Sequence, residues 1–361
     1  MVKILYDHQK FSEQKYGGIT RYFAALMNGI KQHPGFEYQL AALYSSNYYI
    51  RNEPLPLNNF IGRALVKGNA KREYKWNRQY SKMLIERGDH DVFHPTYFNP
   101  YFLKRVKKPY VLTMHDMIYE VMPEYFPAND QTPLHKKLTT DAATAIIAIS
   151  ESTRRDLINL LNVPAEKITM IHHGLPLDEP LAVEAVPGLP ENFILFVGER
   201  ENYKNFARFA EAAAELLNEY SNLHIVLAGG KPLQAGEVSM VDRYLQLNVS
   251  DAQLNYLYQK AQLFVFPSVY EGFGYPLLEA FKAGCPVAAG STSCFPEIGG
   301  EAVAYFDPFD AGSIYKSIQS VLTDTGYRNN LGKKGSERLQ LFPVEKQVEQ
   351  TLALYQKIAG K

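Results

Sequence analysis

Two carboxylates eight positions apart, Glu271 and Glu279, stand in FPSVYEGFGYPLLEAFKAGCPVAAG, residues 266–290. The stretch reads as buried strand, short glycine-rich loop, helix and second buried strand. Gly272 and Gly274 make the loop pliable, and Pro276 suits a first helical turn, where its missing N–H costs nothing. Gly284 then ends the helix and Pro286 opens the next strand. One acid therefore lies on a loop beside a helix N-terminus, and the other one turn inside that helix. Unpaired N–H groups and the positive helix end favour an anion there. Carboxylates for hydroxyls and a helix end for a diphosphate together suit a sugar nucleotide. A glycosidase needs its two acids flanking one bond, whereas a loop acid and a helix acid have separate tasks. A nicotinamide fold wants G-x-G-x-x-G after its first strand; GFGYPL lacks the third glycine and lies far from that strand.

Other candidates occupy similar strand-to-helix junctions. After the first strand a loop ends in Gly17 and Gly18, and the helix behind it carries Arg21. A plain turn explains these glycines as well as a close backbone approach to a ligand does. His115 and Asp116 end VLTMHD, at the strand edge where α/β folds place chemistry. In VGERENYKNF, Arg200 and Lys204 follow another strand, where two cations can hold a diphosphate or merely meet solvent. AGGK, residues 228–231, lacks the upstream glycine of a Walker loop, and Pro232 replaces its Ser or Thr.

These residues must be positioned by alternating strands and helices. Strands are expected near Val2–Tyr6, Tyr38–Tyr44, Asp91–His94, Tyr110–His115, Ala145–Ile149 and Ile168–His172. A second series follows at Phe193–Val197, His224–Ala228, Leu263–Phe266, Val287–Ala289 and Val303–Phe306. The pattern predicts an α/β chain with parallel sheets covered by helices. The proline- and acid-rich stretch 179–192 is expected as a linker between a first domain, 1–178, and a second, 193–343. The amphipathic end, 344–361, is expected to complete the first domain. Two doubly wound Rossmann-like domains facing across a cleft follow, with ligands at the carboxyl ends of the strands.

The chain has 361 residues, 46% of them hydrophobic, which suffices for two cores. Lys plus Arg and Asp plus Glu both number 38, so no global field points to nucleic acid. With two cysteines, Cys285 and Cys294, neither a disulfide framework nor a zinc set is expected. MVKILYDHQ reads as a strand rather than a signal peptide, and no apolar run approaches a membrane span. A cytoplasmic protein is expected. One helix, residues 61–86, sets Arg63, Lys67, Lys71, Lys75, Arg78 and Lys82 on one face and Leu65, Val66, Trp76, Tyr80, Met83 and Leu84 on the other. The charged side is either solvated or turned toward anionic lipid or a phosphorylated acceptor.

Taken in order, YGGITRYF, LTMHD, AIIAISESTRRDL, VGERENYKNF, EGFGYPLLE and FPEIGGEAVAYFDP resemble the retaining glycosyltransferases of family four, which have the GT-B fold. The likeness covers nearly the whole chain. It implies that Glu271, first of an E-x7-E pair, lies by the donor sugar and that Glu279 bonds the ribose hydroxyls. It implies that Arg200 and Lys204 neutralise the diphosphate, helped by backbone N–H groups at Gly17–Gly18 and at Gly272, Phe273, Gly274 and Tyr275. It gives His115 a contact with the transferred sugar, and places Arg21 and Asp116 on the acceptor side. One departure is visible: relatives often carry Arg directly before the Lys, where this chain has Tyr203. Such enzymes generally work without a metal, so none is expected, nor any cofactor beyond the nucleotide-sugar donor. The opening motif and the YKNF loop resemble those of enzymes building O-antigen or capsule, implying a glycan acceptor, lipid-linked and met at the inner face of the membrane. Segment 230–251 is expected to frame the base, and GDP-mannose is the favoured donor. A sugar-nucleotide epimerase of the same fold and a non-catalytic nucleotide-binding partner protein are the alternatives.

Overall fold

A computed structural model describes every residue except Lys67, Ala235 and Lys361, and, for Ile61 and Arg63, the backbone alone. The chain forms two compact units, Met1–Gly174 with Val344–Lys361, and Leu175–Pro343. The strands of the first are β1 (Val2–Tyr6), β2 (Phe36–Leu40), β3 (Val92–His94), β4 (Val111–Met114), β5 (Ala145–Ala148) and β6 (Ile168–Met170). Those of the second are β7 (Phe193–Val197), β8 (His224–Ala228), β9 (Tyr244–Leu247), β10 (Leu263–Phe266), β11 (Val287–Gly290) and β12 (Val303–Phe306).

Every strand pair is parallel. In the first unit β2-β1-β3 and β4-β5-β6 form two three-stranded ladders, joined by a parallel bridge from Phe93 to Tyr110. The second unit has one six-stranded sheet, β9-β8-β7-β10-β11-β12. Renumbered within that unit, the order is 3-2-1-4-5-6, the doubly wound dinucleotide-type arrangement. Its order reverses between β7 and β10, and the crevice beyond their carboxyl ends is where such sheets bind ligands. The strands read as unbroken apolar runs such as LFVF and AIIA because helices cover both faces, and all four residues of each are buried.

Helix Val344–Ala359 belongs to the first unit and lies against helix Gly18–Lys31. The approach is close at Gly29, where a Cβ would come within 2.5 Å of Val348 Cγ1. Tyr355 on the same helix is fully buried, its hydroxyl 3.0 Å from that of Tyr6 and 2.6 Å from His94 Nδ1.

Three expectations need correction. The stretch 179–192 is not a free linker: Glu184 N donates to Ala252 O at 3.1 Å, and Gln253 and Asn255 hold Glu184 and the Ala182 carbonyl. The units instead meet in sequence at Gly174–Leu175 and Pro343–Val344. Helix 61–86 is two helices, Phe60–Val66 and Ala70–Arg87. Gly68 adopts φ +83°, and Asn69 caps the second helix by accepting from Arg72 N at 2.9 Å. Lys67 and the Arg63 side chain lie outside the described residues. Leu65 and Met83 are exposed, Trp76 and Tyr80 half-buried, and the deepest side chains of Ala70–Arg87 include Glu73, Asn77 and Ser81. Arg78 turns inward, its guanidinium carbon 5.5 Å from the Tyr101 ring centre, while Lys71 and Lys75 are exposed. Finally, β9 lies inside segment 230–251 and forms the edge of the sheet; YLQL is too short, and too polar in its surroundings, to announce a strand.

Candidate active site

In the second unit Lys204 and Glu271 meet. The Lys204 ammonium is 2.7 Å from Glu271 Oε1, with side chains 23% and 16% exposed. Lys204 follows β7 in a short turn, Asn202–Lys204, and Glu271 follows β10, so the pair stands at the point where the strand order reverses. Val269 N donates to Tyr203 O at 2.8 Å, binding the two loops together. Next to Lys204, Asn205 holds φ +58° and its Nδ2 donates to the carbonyls of Pro267 (3.0 Å) and Pro308 (2.7 Å). On the other side Ser293, at φ +51°, accepts Glu271 N at 3.1 Å, and Thr292 Oγ1 donates to Val269 O at 2.6 Å. Strained or left-handed residues at such a junction mark loops fixed by their surroundings.

Gly272, Phe273 and Gly274 are buried. Phe273 packs its ring against Phe342, centroids 6.0 Å apart, so what it can offer an anion is its backbone. Gly274 caps helix Tyr275–Lys282 at φ +88°, a conformation that favours glycine. Pro276 sits in the first turn, and Glu279 is half-buried on the same helix. At the far end Cys285 N donates to Ala280 O and Gly284 N to Phe281 O, a glycine stop at φ +72°.

Arg200 has another task in this structure. Its Nε is 3.1 Å from Glu237 Oε1 and its Nη2 2.6 Å from Lys231 O, with the side chain only 4% exposed. That guanidinium ties down the segment after β8, so of the two candidates Lys204 is the one that meets Glu271 at the switch point. Its buried Nη1 has no hydrogen-bond partner.

In the first unit Gly17 is extended, φ 165°, and caps helix Gly18–Lys31. A Cβ there would meet only the end of the Gln14 side chain, so the position does not need glycine for its backbone angles. Thr20 Oγ1 donates back to Gly17 O at 2.9 Å. Arg21 is half-buried in the first turn. The next residues, Tyr22 and Phe23, reach the end of β4: Tyr22 and His115 lie edge to face at 5.3 Å, and His173 stacks on His115 at 6.0 Å. The glycine loop's helix and His115 are thus parts of one cluster.

Burial within those aromatic rings pushes the His115 pKa down to about 3, with Lys10 and Lys136 adding to the effect and Asp116 opposing it. The imidazole is neutral at physiological pH, and its buried Nε2 has no hydrogen-bond partner. Such an orphan costs about 1–3 kcal/mol until something fills it. Asp116 accepts from Lys136 at 3.1 Å and Lys136 also meets Glu120 at 3.0 Å. Desolvation raises the Asp116 pKa, but Lys136 and the Ile118 N–H outweigh it and the net shift is downward. Asp116 is therefore a charged anchor for the loop after β4.

Sequence reading missed Asn205, Ser293, His173 and Lys136. His173 carried a signal in the pair IHHG after β6; the others have none beyond their neighbours' roles. An Asp-x-Asp spacing also occurs at Asp89–Asp91. Asp91 accepts from Lys3 N at 2.9 Å and Asp89 pairs with Arg87 at 2.9 Å, at the amino end of β3 and away from the strand ends that carry the candidates. Among the described residues no group of three or more His, Cys, Asp or Glu side chains is placed to hold a metal ion.

Residues 16–179 match the profile described as Glycosyltransferase Family 4, and residues 184–338 that of Glycosyl transferases group 1. O-antigen chain mannosyltransferase B of Escherichia coli is 30% identical over 285 residues, 73% of this chain and 74% of that protein. The chain belongs to glycosyltransferase family 4. Among solved structures, sucrose-phosphate synthase from Thermosynechococcus elongatus superposes with a TM-score of 0.73 at 18% identity, covering 99% of both chains. The Anabaena protein HepE, solved in complex with UDP and glucose, gives 0.71 at 16% identity over 98% of this chain and 99% of that one. At such identities the likeness speaks for the fold, which is GT-B. This family 4 glycosyltransferase thus carries its loop-and-helix glutamates on the strand order that the fold uses for ligands.

Proposed function

We propose that this glycosyltransferase moves a hexosyl unit, mannosyl in the favoured case, from a nucleoside-diphosphate sugar to a hydroxyl of a growing, lipid-linked cell-envelope glycan. Transfer retains the anomeric configuration and needs no metal. The observation that carries the reading is the Lys204–Glu271 pair at the topological switch point of the second unit. The E. coli relative's name supports an O-antigen-type acceptor and a mannosyl donor, and HepE's ligands support a nucleotide-sugar donor.

The chemistry follows from the residue types. As the bond between the anomeric carbon and the diphosphate breaks, negative charge grows on the leaving phosphate. Lys204 and the N–H groups opening helix Tyr275–Lys282 are suited to receive it. Glu271, released from Lys204 by the incoming phosphate, accepts hydroxyls of the donor sugar, and Glu279 accepts those of the ribose. In the first unit the N-terminus of helix Gly18–Lys31 is the second anion-favouring end. Neutral His115, with its orphaned Nε2, supplies a hydrogen bond to a sugar hydroxyl rather than a proton for the reaction. The acceptor hydroxyl attacks the anomeric carbon from the face the phosphate leaves, and its proton passes to that phosphate. One C–O bond forms, one breaks, and nucleoside diphosphate departs.

The acceptor's lipid would bring the protein to an anionic membrane at the inner face, where Lys71 and Lys75 are among the exposed cations of helix Ala70–Arg87. No helix among the described residues is long and apolar enough to cross a membrane. The test of the activity is nucleotide release from GDP-mannose, UDP-glucose, UDP-N-acetylglucosamine, UDP-galactose and dTDP-rhamnose without acceptor. Release from one donor, lost in Glu271→Ala, is expected. Release unchanged in Glu271→Ala would place the chemistry elsewhere, and a sugar isomerised rather than freed would identify an epimerase.

A further inference from the structure

A groove of about 340 Å³ opens in the first unit between residues 15–16 and the loop 44–58, within the size range of small-molecule sites. Its lining includes Lys15, Tyr16, Ser46, Tyr48, Arg51 and Asn58, with no acidic side chain among the described residues. Tyr16 is 63% exposed and Tyr48 40%. Their rings lean together at 5.2 Å and 31°, and the Arg51 guanidinium lies over Tyr48 at 4.6 Å. Neither Lys15 nor Arg51 makes an ion pair with a described residue.

This surface is held in place from beneath. Asn47, 1% exposed, accepts Tyr49 N at 3.0 Å and donates to Gln14 O at 2.7 Å; Tyr48 N donates to Lys15 O at 2.9 Å. Ser45 Oγ accepts Asn47 N at 3.1 Å and donates to Phe11 O at 2.5 Å. Buried Asn77 grips both ends of Tyr44, accepting its N–H at 3.2 Å and donating to its carbonyl at 2.7 Å. Exposed aromatic rings on a loop fixed by buried amides are pre-organised for a ligand with an apolar ring face, since little order remains to be imposed on binding.

From this geometry we propose that the groove is a subsite for a sugar ring of the acceptor glycan that bears a negative group, either a uronate or a glycosyl phosphate. The ring lies on Tyr16, whose face is the more open. Lys15 and the Arg51 fork, steadied by Tyr48, take the anion. Ser46 and Asn58 border the hydroxyls. Lys15 and Tyr16 directly precede Gly17 and Gly18, so the bound unit sits beside the loop that the proposed function gives to the donor phosphates. Its assignment to the acceptor rests on that reading.

Binding of three probes, methyl α-mannoside, mannose 1-phosphate and methyl β-glucuronide, would be titrated by saturation-transfer NMR with GDP or UDP saturating the donor site. One anionic probe is expected to bind at least tenfold tighter than the neutral one, and which one identifies the source of the charge. Arg51→Gln and Lys15→Gln should remove that preference, and Tyr16→Ala should weaken binding of every probe at least tenfold. Equal affinity for neutral and anionic probes, or affinities unmoved by Tyr16→Ala and Arg51→Gln, would overturn the proposal. Acceptor-free nucleotide release, measured in parallel, should stay at the wild-type rate in these variants. If the wild type binds the probes but releases nucleotide from no donor, the donor reading fails while the groove stands as a sugar site.

Discussion

Lys204→Ala separates a catalytic cation from a structural one. Lys204 is one half of a 2.7 Å ion pair whose two side chains are 23% and 16% exposed. A pair still touched by solvent contributes about 1 kcal/mol at most. For a unit the size of Leu175–Pro343, losing it should lower the melting temperature by about 2–4 °C. The transition state asks more of the same ammonium. Removing one pre-organised donor from a developing oxyanion costs about 3–4 kcal/mol, or about 150- to 900-fold in rate. The assay is turnover of the preferred donor, followed as nucleotide release, beside a thermal melt of the same preparation. A small melt shift with a rate loss of two to three decades is the predicted combination. Lys204→Arg should recover part of the rate, since the charge stays but the compact ammonium is replaced by a wider fork. Turnover within about threefold of wild type in Lys204→Ala would refute the assignment, whatever happened to the melt.

His115→Phe keeps the aromatic packing with Tyr22 and His173 and removes the orphaned Nε2; it should leave the melting temperature unlowered, raised by a few degrees at most, while cutting turnover at least 50-fold, and near-normal turnover would make His115 a packing residue. Because burial holds His115 near 3, no limb of the pH–rate profile between pH 5 and 8 should vanish in that variant. Acid should destabilise the first unit: desolvation lowers His8 to about 3 and His90 to about 4, and puts His94 and His173 well below 6.5. These groups bind protons in the unfolded chain before the folded one, so stability is full above about pH 6.5 and falls as pH drops below it. Glu73, raised by burial to about 7, acts with the opposite sign between about 4.5 and 7 and is outnumbered; melts flat from pH 7.5 to 5 would contradict the reasoning. Reversing Lys71 and Lys75 to Glu should abolish sedimentation with phosphatidylglycerol vesicles in low salt, and unchanged sedimentation would return these lysines to a solvated surface.

Much of this was legible in the sequence because its signals were local. Strands β1, β7, β8, β10 and β12 have the bounds expected of them, and Gly284 stops its helix at a φ of +72°, which favours a residue without Cβ. The helix break at Gly68 was foreshadowed by the glycine, and Leu84 is buried as expected; what was not foreshadowed is that Glu73, Asn77 and Ser81 would line the buried side of Ala70–Arg87 beside it. Glu73, Asn77 and Ser81 look like solvent residues until the backbone of loop 41–46 comes to them: Ser81 Oγ meets Ala41 O at 2.7 Å and Asn77 clasps Tyr44. Long-range partners were illegible for the same reason. Arg200 finds Glu237 37 positions away and Lys204 finds Glu271 67 away. In VGERENYKNF only Tyr203, standing where relatives carry the arginine, sets Arg200 apart from Lys204; that the first braces a loop and the second meets Glu271 shows only in their partners, Glu237 and Lys231 O for the arginine and Glu271 for the lysine.

A diphosphate held at the ends of β7 and β10 is the step on which every proposed role in the second unit depends. The direct measurement is calorimetric binding of GDP and UDP in excess EDTA to wild type, Lys204→Ala and Glu279→Gln. The predicted result is one nucleotide bound with micromolar affinity, untouched by the chelator and weakened at least tenfold in each variant. Binding that vanishes with EDTA would contradict metal-free phosphate recognition, and binding that both variants leave intact would put the donor somewhere other than the switch point.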